Sequence, residues 1–306
     1  MSSGALAARR QRAVAAALAA GRAEGLDVGE PEVLHDVFSV VVHLAPAPVV
    51  VRVPTVLPRT VRADPAGQLA QMRTELAVAA WLADRASPAV RPAADRPWVH
   101  DGLAMTAWQL VDVSAEPVGD EESGAAVARL HGTLADCPVE PGWWFPLDAS
   151  IADGIGQLTG LLPEEDVDRA RAEWALLRPL AEEPAAFSAA FPGAHVQPVH
   201  GDAPFWNLLP TAAGPVASDL EHAHRGLREW DLAGAPPAVW TGYAVEAARL
   251  GLPPLDDRLA AVAERGRDLQ LLAVLPLDVE LPGLSDGLAP LVQAWREKPP
   301  LGDVLS

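Results

Sequence analysis

Val37, Val40, Val41, Val42 and Leu44 crowd residues 37–44, and Val49, Val50, Val51 and Val53 fill residues 49–53, with Pro46 and Pro48 between the runs. β-branched side chains suit a pleated, half-buried surface and proline marks the turn, so the pattern predicts a strand pair. The period then changes. Leu69, Met72, Leu76, Ala79, Ala80 and Ala83 recur at helical spacing and predict a helix over 68–83. Residues 102–112 read as a strand running into a connector. Beyond it the rhythm is mainly helical, over 121–134, 164–178, 237–250 and 259–272, with Pro163 fitting a helix start and Pro179 marking a stop. Two short apolar runs interrupt this, at 197–199 and 216–218, and residues 210–215 form a turn before the second. Strands early and helices late predict an α+β chain.

Composition narrows the field. Of 306 residues, 50% are hydrophobic and 21% charged, which is enough to build a core and argues against disorder. The net charge of −18 argues against nucleic acid, whose phosphates call for basic patches. It would instead draw a cationic small molecule toward a cleft. No apolar run reaches the roughly 18 residues of a membrane span. Arg9, Arg10 and Arg12 precede an alanine-rich stretch, but that stretch is short and is followed by Arg22. An amphipathic opening helix therefore fits better than a secretory leader, and a cytoplasmic protein is expected. Cys137 is the single cysteine and has no disulfide partner within the chain. The acidic groups at 164–168, 256–257 and 278–280 read as helix starts and loop faces.

The densest chemistry lies at His200-Gly201-Asp202-Ala203-Pro204-Phe205-Trp206-Asn207, followed by Ser218-Asp219-Leu220-Glu221. Phosphoryl transfer needs one carboxylate to orient an attacking hydroxyl, and an amide oxygen with another carboxylate to hold Mg²⁺ on the phosphates. A hairpin closed by the turn at 210–215 would bring Asp202, Asn207 and Asp219 to one edge. The alternative for each Asp alone is a turn residue bonding its own backbone. The four histidines near this stretch, His195, His200, His222 and His224, lack the spacing of a zinc site. No G-x-S-x-G element marks an acyl-transfer nucleophile.

These segments resemble the catalytic loop of the aminoglycoside phosphotransferase and choline kinase-like superfamily, H-G-D-x-x-x-x-N followed by D-x-[DE]. Gly226 to Ala233 resembles that family's G-x-x-x-x-D-L-A. The resemblance spans about residues 31–233. It implies a two-lobed protein-kinase-like fold, with a small β-rich N-lobe over 1–108 carrying one helix and a larger, mainly helical C-lobe over 109–306. Residues 1–30 would be a helical extension. It further implies Asp202 as the base, Asn207 and Asp219 as Mg²⁺ ligands, and Asp231 as an anchor bonding back to the loop. His200 braces the loop. Glu221 is either a further metal or acceptor contact or a solvated carboxylate.

The N-terminal half fits the same scheme. Arg52 stands within a valine run where such a lobe carries a phosphate-binding cation, and Glu75 lies in the following helix where it can pair with Arg52. Ser39 is a candidate phosphate contact or a plain strand residue. The stretch expected over the phosphates, His35 to Ser39, lacks glycine, so its backbone approaches phosphates less freely. By position in the family, Gln109 and Val111 offer their main chain to the adenine edge. Trp143-Trp144 and Phe205-Trp206 either wall the acceptor pocket or fill the core. The implied activity moves the γ-phosphate of ATP or GTP to a hydroxyl of a small molecule such as an aminoglycoside, another amino-bearing natural product or a sugar. A nucleotide- or small-molecule-binding protein without turnover is the alternative.

Overall fold

The computed structural model describes residues 3–85, 89–144 and 147–305. Helix α1 (Ser3–Ala23) opens the chain. Strands β1 (Glu32–Asp36), β2 (Ser39–His43), β3 (Val49–Pro54), β4 (Trp98–His100) and β5 (Leu103–Gln109) form one antiparallel sheet in the order β1-β2-β3-β5-β4. The alternation in the valine runs assigns the two faces. Val40 and Val42 of β2, with Val51 and Val53 of β3, turn to one face and are fully buried there under Ala13, Ala16, Ala17 and Ala20 of α1. Alanines let the helix lie close to the sheet. Arg52 falls on the other face, opposite Val41 and Thr106 in register, and so points into the cleft below.

The expected strand over 37–44 is shorter than its apolar run. Val37 and Phe38 form the turn between β1 and β2 and stay partly exposed. Strand β1 carries exposed side chains along most of its length and offers no alternation to read. Helix α2 (Arg59–Ala63) leads into α3 (Pro65–Ala83), whose N-cap Asp64 accepts the Gly67 N–H. Helix α3 buries Met72, Leu76, Val78, Ala79 and Leu82 together with one charged residue, Glu75.

The second lobe is mostly helical: α4 (Asp120–Leu134), α5 (Ala149–Gly156), α6 (Glu164–Glu182), α7 (Pro184–Ala190), α8 (Pro237–Leu250), α9 (Asp257–Ala273), α10 (Leu284–Glu297) and α11 (Leu301–Leu305). Its core gathers Trp144, Leu147, Leu158, Trp174, Leu177, Phe187, Trp230, Leu269 and Trp295. Helices α4 and α8 approach so closely that a Cβ on Gly124 would lie 1.9 Å from the Val239 carbonyl oxygen. Helix α6 runs through Pro179 instead of stopping there. The Glu183 N–H still bonds the Pro179 carbonyl, so the helix forfeits a single bond near its end.

The short strands pair differently from the simplest hairpin. Strand β6 (Val196–Val199) lies antiparallel to β9 (His224–Leu227), while β7 (Leu208–Leu209) pairs with β8 (Val216–Ala217). Two nested ladders therefore frame residues 200–223, the inner one closed by the turn at 210–215.

Candidate active site

The loop between β6 and β7 carries His200 to Asn207. Gly201 has φ +89°, and a Cβ there would meet the His222 carbonyl oxygen at 1.9 Å, so only glycine fits. The Asn207 Nδ2 donates to the Asp202 carbonyl (2.7 Å), and the Ser218 N–H and Oγ both donate to the Asn207 carbonyl (2.8 and 2.9 Å). These bonds close the loop against the strand that ends at Asp219. His200 Nε2 lies 2.8 Å from the Ser218 carbonyl while its Nδ1 accepts the Asp202 N–H at 3.3 Å, which assigns the proton to Nε2.

Asp231 lies beneath the loop with no exposure. Its Oδ2 accepts the His200 N–H (2.8 Å) and faces His131 Nε2 (2.9 Å), and its Oδ1 accepts the Gly201 N–H (2.7 Å). Trp230 Nε1 donates to the Gly201 carbonyl at 2.8 Å. Burial alone would raise the Asp231 carboxyl, but the bond and charge of His131, with His200 and Gly201 behind them, hold it below the ordinary range. His131 and its second partner Tyr243 (3.0 Å) carried no readable signal, because a histidine and a tyrosine on two separate helices resemble ordinary core residues.

Beside the loop stands a cluster of one cation and three carboxylates. Arg52 Nη2 donates to both Glu75 oxygens (2.8 and 2.6 Å), and its Nη1 bonds Glu221 across the lobes and lies 3.7 Å from Asp219 Oδ1. Gln71 Nε2 donates to the Glu221 carbonyl at 2.9 Å, tying α3 to the same turn. Burial, seconded by Glu221 and Asp219, pushes the Glu75 carboxyl up to about 8 against the pull of Arg52. Burial and the neighbouring Glu221 likewise raise Asp219. Burial also opposes ionisation of Glu221, but Arg52 outweighs it and Glu221 is held low. Three carboxylates thus face one buried guanidinium, and full ionisation of all three would leave the cluster negative. Asp219 takes up φ +61°, and its Oδ1 is buried without a hydrogen-bond partner. A buried carboxylate oxygen with no hydrogen bond, in a cluster where carboxylates outnumber their one cation, suits a divalent cation. Among the described residues no three His, Cys, Asp or Glu side chains form a closed metal cage. Mg²⁺ bound with a nucleotide needs only one or two protein carboxylates, the rest being phosphate oxygens and water.

Asp202, Asp219, Glu221, Arg52, Glu75 and Ser39 line one cavity of about 520 Å³ between the lobes. Arg267 on α9 lines it too, with Nη2 2.6 Å from Asp202 Oδ1. An arginine among other charges on a long helix reads as a solvated face, so the sequence hid it. The loop over the cavity is held by α1: Arg9 and Arg10 pair with Asp36, and Arg9 Nη1 donates to the Val37 carbonyl at 2.8 Å. Gln109 and Val111 lie off this cavity, and the Gln109 N–H already donates to the Arg91 carbonyl (2.8 Å). Phe205 and Trp144 are buried in the C-lobe core, and Trp206 is 73% exposed, so none of the three walls the cavity. Of the acidic groups, Asp256 caps α9, Asp166 pairs with Arg296, and the Asp278 Oδ1 accepts the Ser285 N–H.

His224, buried behind Gly201, carries a testable titration. Burial depresses it to about 4, partly offset by its Nδ1 bond to the His222 carbonyl. The ring is neutral when folded and takes up a proton when unfolded. Its contribution is fully present above the ordinary histidine value and is lost as pH falls from about 6.5 through about 4, a total of about 3 kcal/mol. Denaturant unfolding of wild type and His224→Gln across that window measures it. The variant should lose part of the pH slope, and equal slopes would overturn the assignment.

No family model and no curated protein matches the sequence. Solved structures do match. A choline/ethanolamine kinase family protein from Mesorhizobium loti is 19% identical and superposes over 97% of this chain and 98% of its own, with TM-score 0.61. The aminoglycoside phosphotransferase APH(3'')-Id from Streptomyces rimosus, in complex with ADP and streptomycin, is 20% identical over 84% and 98%, with TM-score 0.56. The GDP complex of an aminoglycoside 2'-phosphotransferase-IIIa is 13% identical over 91% and 96%, with TM-score 0.57. The small sheet, the helical lobe and the loop between them thus form the two-lobed α+β fold of the choline kinase-like and aminoglycoside phosphotransferase structures.

Proposed function

We propose that this protein transfers the γ-phosphate of ATP or GTP to a hydroxyl group of a small molecule. The observation that carries the reading is the meeting of Asp202, Asp219 and the buried Arg52–Glu75 pair on one interlobe cavity. ADP in one similar structure and GDP in another support a purine nucleotide as donor.

Phosphoryl transfer through a loose transition state asks the protein for positioning and charge stabilisation more than for covalent chemistry. In this reading Asp202 accepts a hydrogen bond from the acceptor hydroxyl and orients its oxygen. Asp219 and Asn207 are the ligands for Mg²⁺, with Glu221 beside them. The bound ion supplies charge neutralisation on the β- and γ-phosphates. Arg52, oriented by Glu75, offers a guanidinium to the phosphates, and Ser39 a hydroxyl. His200 and Asp231 hold the loop in place. The Gln109 carbonyl and the Val111 main chain are assigned to the adenine edge.

Calorimetric titration of Mg·ATP and Mg·GTP, with and without the metal, tests the reading. Asp219→Ala should lose the Mg²⁺-dependent gain in affinity, about tenfold or more, because without this ligand the ion is held less firmly and the phosphate charge faces the ionised Glu221. Equal Mg·nucleotide affinity in the variant would sink the metal role. ADP release across hydroxylated acceptors then separates a transferase from a protein that binds nucleotide without turnover.

A further inference from the structure

Beyond Asp202 the cavity changes character. Its far wall is aliphatic, built by Val56, Leu57 and Val61 from the N-lobe and by Ile151, Val274 and Leu277 from the C-lobe. The carboxylates around this end are already engaged. Asp148 Oδ1 caps α5 by accepting the Ser150 N–H at 2.7 Å. Asp153 pairs with Arg59, and Glu280 with Arg62, both arginines reaching down from α2. Asp278 Oδ1 accepts the Ser285 N–H.

Arg267 lines the cavity from α9, as Arg52 does from β3. Its Nη1 donates to Gln270 Oε1 at 2.7 Å, which fixes the plane of the guanidinium, and its Nη2 reaches Asp202. Asp202 is the one carboxylate within ion-pairing distance of Arg267 among the described residues. The side chain is only 17% exposed, so water screens it weakly. Asp202 Oδ1 therefore faces a guanidinium where an acceptor hydroxyl should approach.

A cationic acceptor entering here meets a like charge at short range, and among the described residues the carboxylates just named each already accept a backbone N–H or pair with an arginine. The net charge of −18 acts over the whole surface, whereas Arg267 acts at the reacting end. A carboxylate or phosphate matches the planar fork of arginine with two parallel bonds, which an amide or alcohol cannot equal. By taking over Arg267 it would also release Asp202 Oδ1 to the hydroxyl.

We propose that Arg267 is a specificity-determining residue that anchors an anionic group of the acceptor, so that the acceptor is a small hydroxylated molecule with an aliphatic body and a carboxylate or phosphate. The inference rests on the phosphotransferase reading above for the meaning of "acceptor", but its test does not depend on turnover.

The probes are matched aliphatic ω-hydroxy compounds ending in a carboxylate, a phosphate monoester, a primary amide or an amine, titrated by calorimetry into the full-length protein with Mg·ADP. At least one anionic compound should bind about tenfold or more tightly than the amide, the size of a lost charge-assisted bond, and the amine should bind worst. Which anion binds better separates a carboxylate from a phosphate ligand. Arg267→Gln should erase the preference, while Arg267→Lys, which keeps the charge without the fork, should retain part of it. Thermal melting of both variants checks that they fold. Preference for the amine, equal affinity for acid and amide, no binding of either anion, or an acid preference that survives Arg267→Gln would each overturn the proposal. ADP release from Mg·ATP, measured alongside, distinguishes this outcome from failure of the phosphotransferase reading. A protein that binds anions through Arg267 yet never binds Mg·ATP would refute the latter alone.

Discussion

An Asp202→Asn protein is expected to fold, bind Mg·ATP and transfer phosphate about 10²–10⁴-fold more slowly than wild type, the range for losing acid–base assistance. The substitution keeps the size of the side chain and leaves the backbone carbonyl that receives the Asn207 amide. Arg267 loses its carboxylate partner but keeps an acceptor, because the Asn amide oxygen can take the place of the Asp202 Oδ1 that its Nη2 reaches. What disappears is the negative acceptor for the hydroxyl proton. Burial would lift the Asp202 carboxyl, but Arg267, with His222 and His200 behind it, holds it down to about 2. It is therefore ionised near neutral pH, and in the proposed reading it would orient the hydroxyl more than take a proton from it early. The kcat of the variant, measured as ADP release with a turned-over acceptor, decides the matter. A variant with unimpaired turnover would remove Asp202 from the chemistry.

Asp231→Ala should produce the largest loss of stability, about 3–5 kcal/mol, as when one partner of a buried charged network is deleted. Asp231 has no exposure and serves the His200 and Gly201 N–H groups and the His131 ring together. Each buried donor left unpaired costs about 1–3 kcal/mol. Alanine also opens space under the loop that neighbouring Trp230, itself bonded to the Gly201 carbonyl, cannot fill without breaking that bond. Urea unfolding gives the number. Asp231→Asn should fall between wild type and alanine, because its amide oxygen still accepts one N–H. An unchanged unfolding midpoint for Asp231→Ala would show that the loop does not depend on this anchor.

Much of this arrangement was readable along the chain because it is encoded locally. The helix expected over 68–83 is α3, and the one expected over 237–250 has the same limits as α8, since apolar spacing repeats within each segment. The charge of Arg52 in a valine run pointed to a cleft because strand alternation leaves one face buried under α1 and the other open. The motif from His200 to Asn207 is contiguous, so its residue types were visible together. Helices α5 and α10 lie outside the stretches whose spacing predicts a helix. Their apolar faces are short or broken by glycine and proline, and they gain order only against α9 and its neighbours.

The sequence by itself determined the α+β order of elements, the loop that carries Asp202 and Asn207, and the strand that carries Arg52. Propensity, alternation and turn chemistry act over a few residues and need no partner. Only the tertiary structure decided that β6 pairs with β9, that Glu221 crosses the lobes to Arg52, and that Arg9 and Arg10 hold the glycine-free loop. It alone brought Arg267 to Asp202 from 65 residues away. Such contacts arise from how whole helices pack, and no local pattern in the chain records which distant side chain a packed helix will deliver.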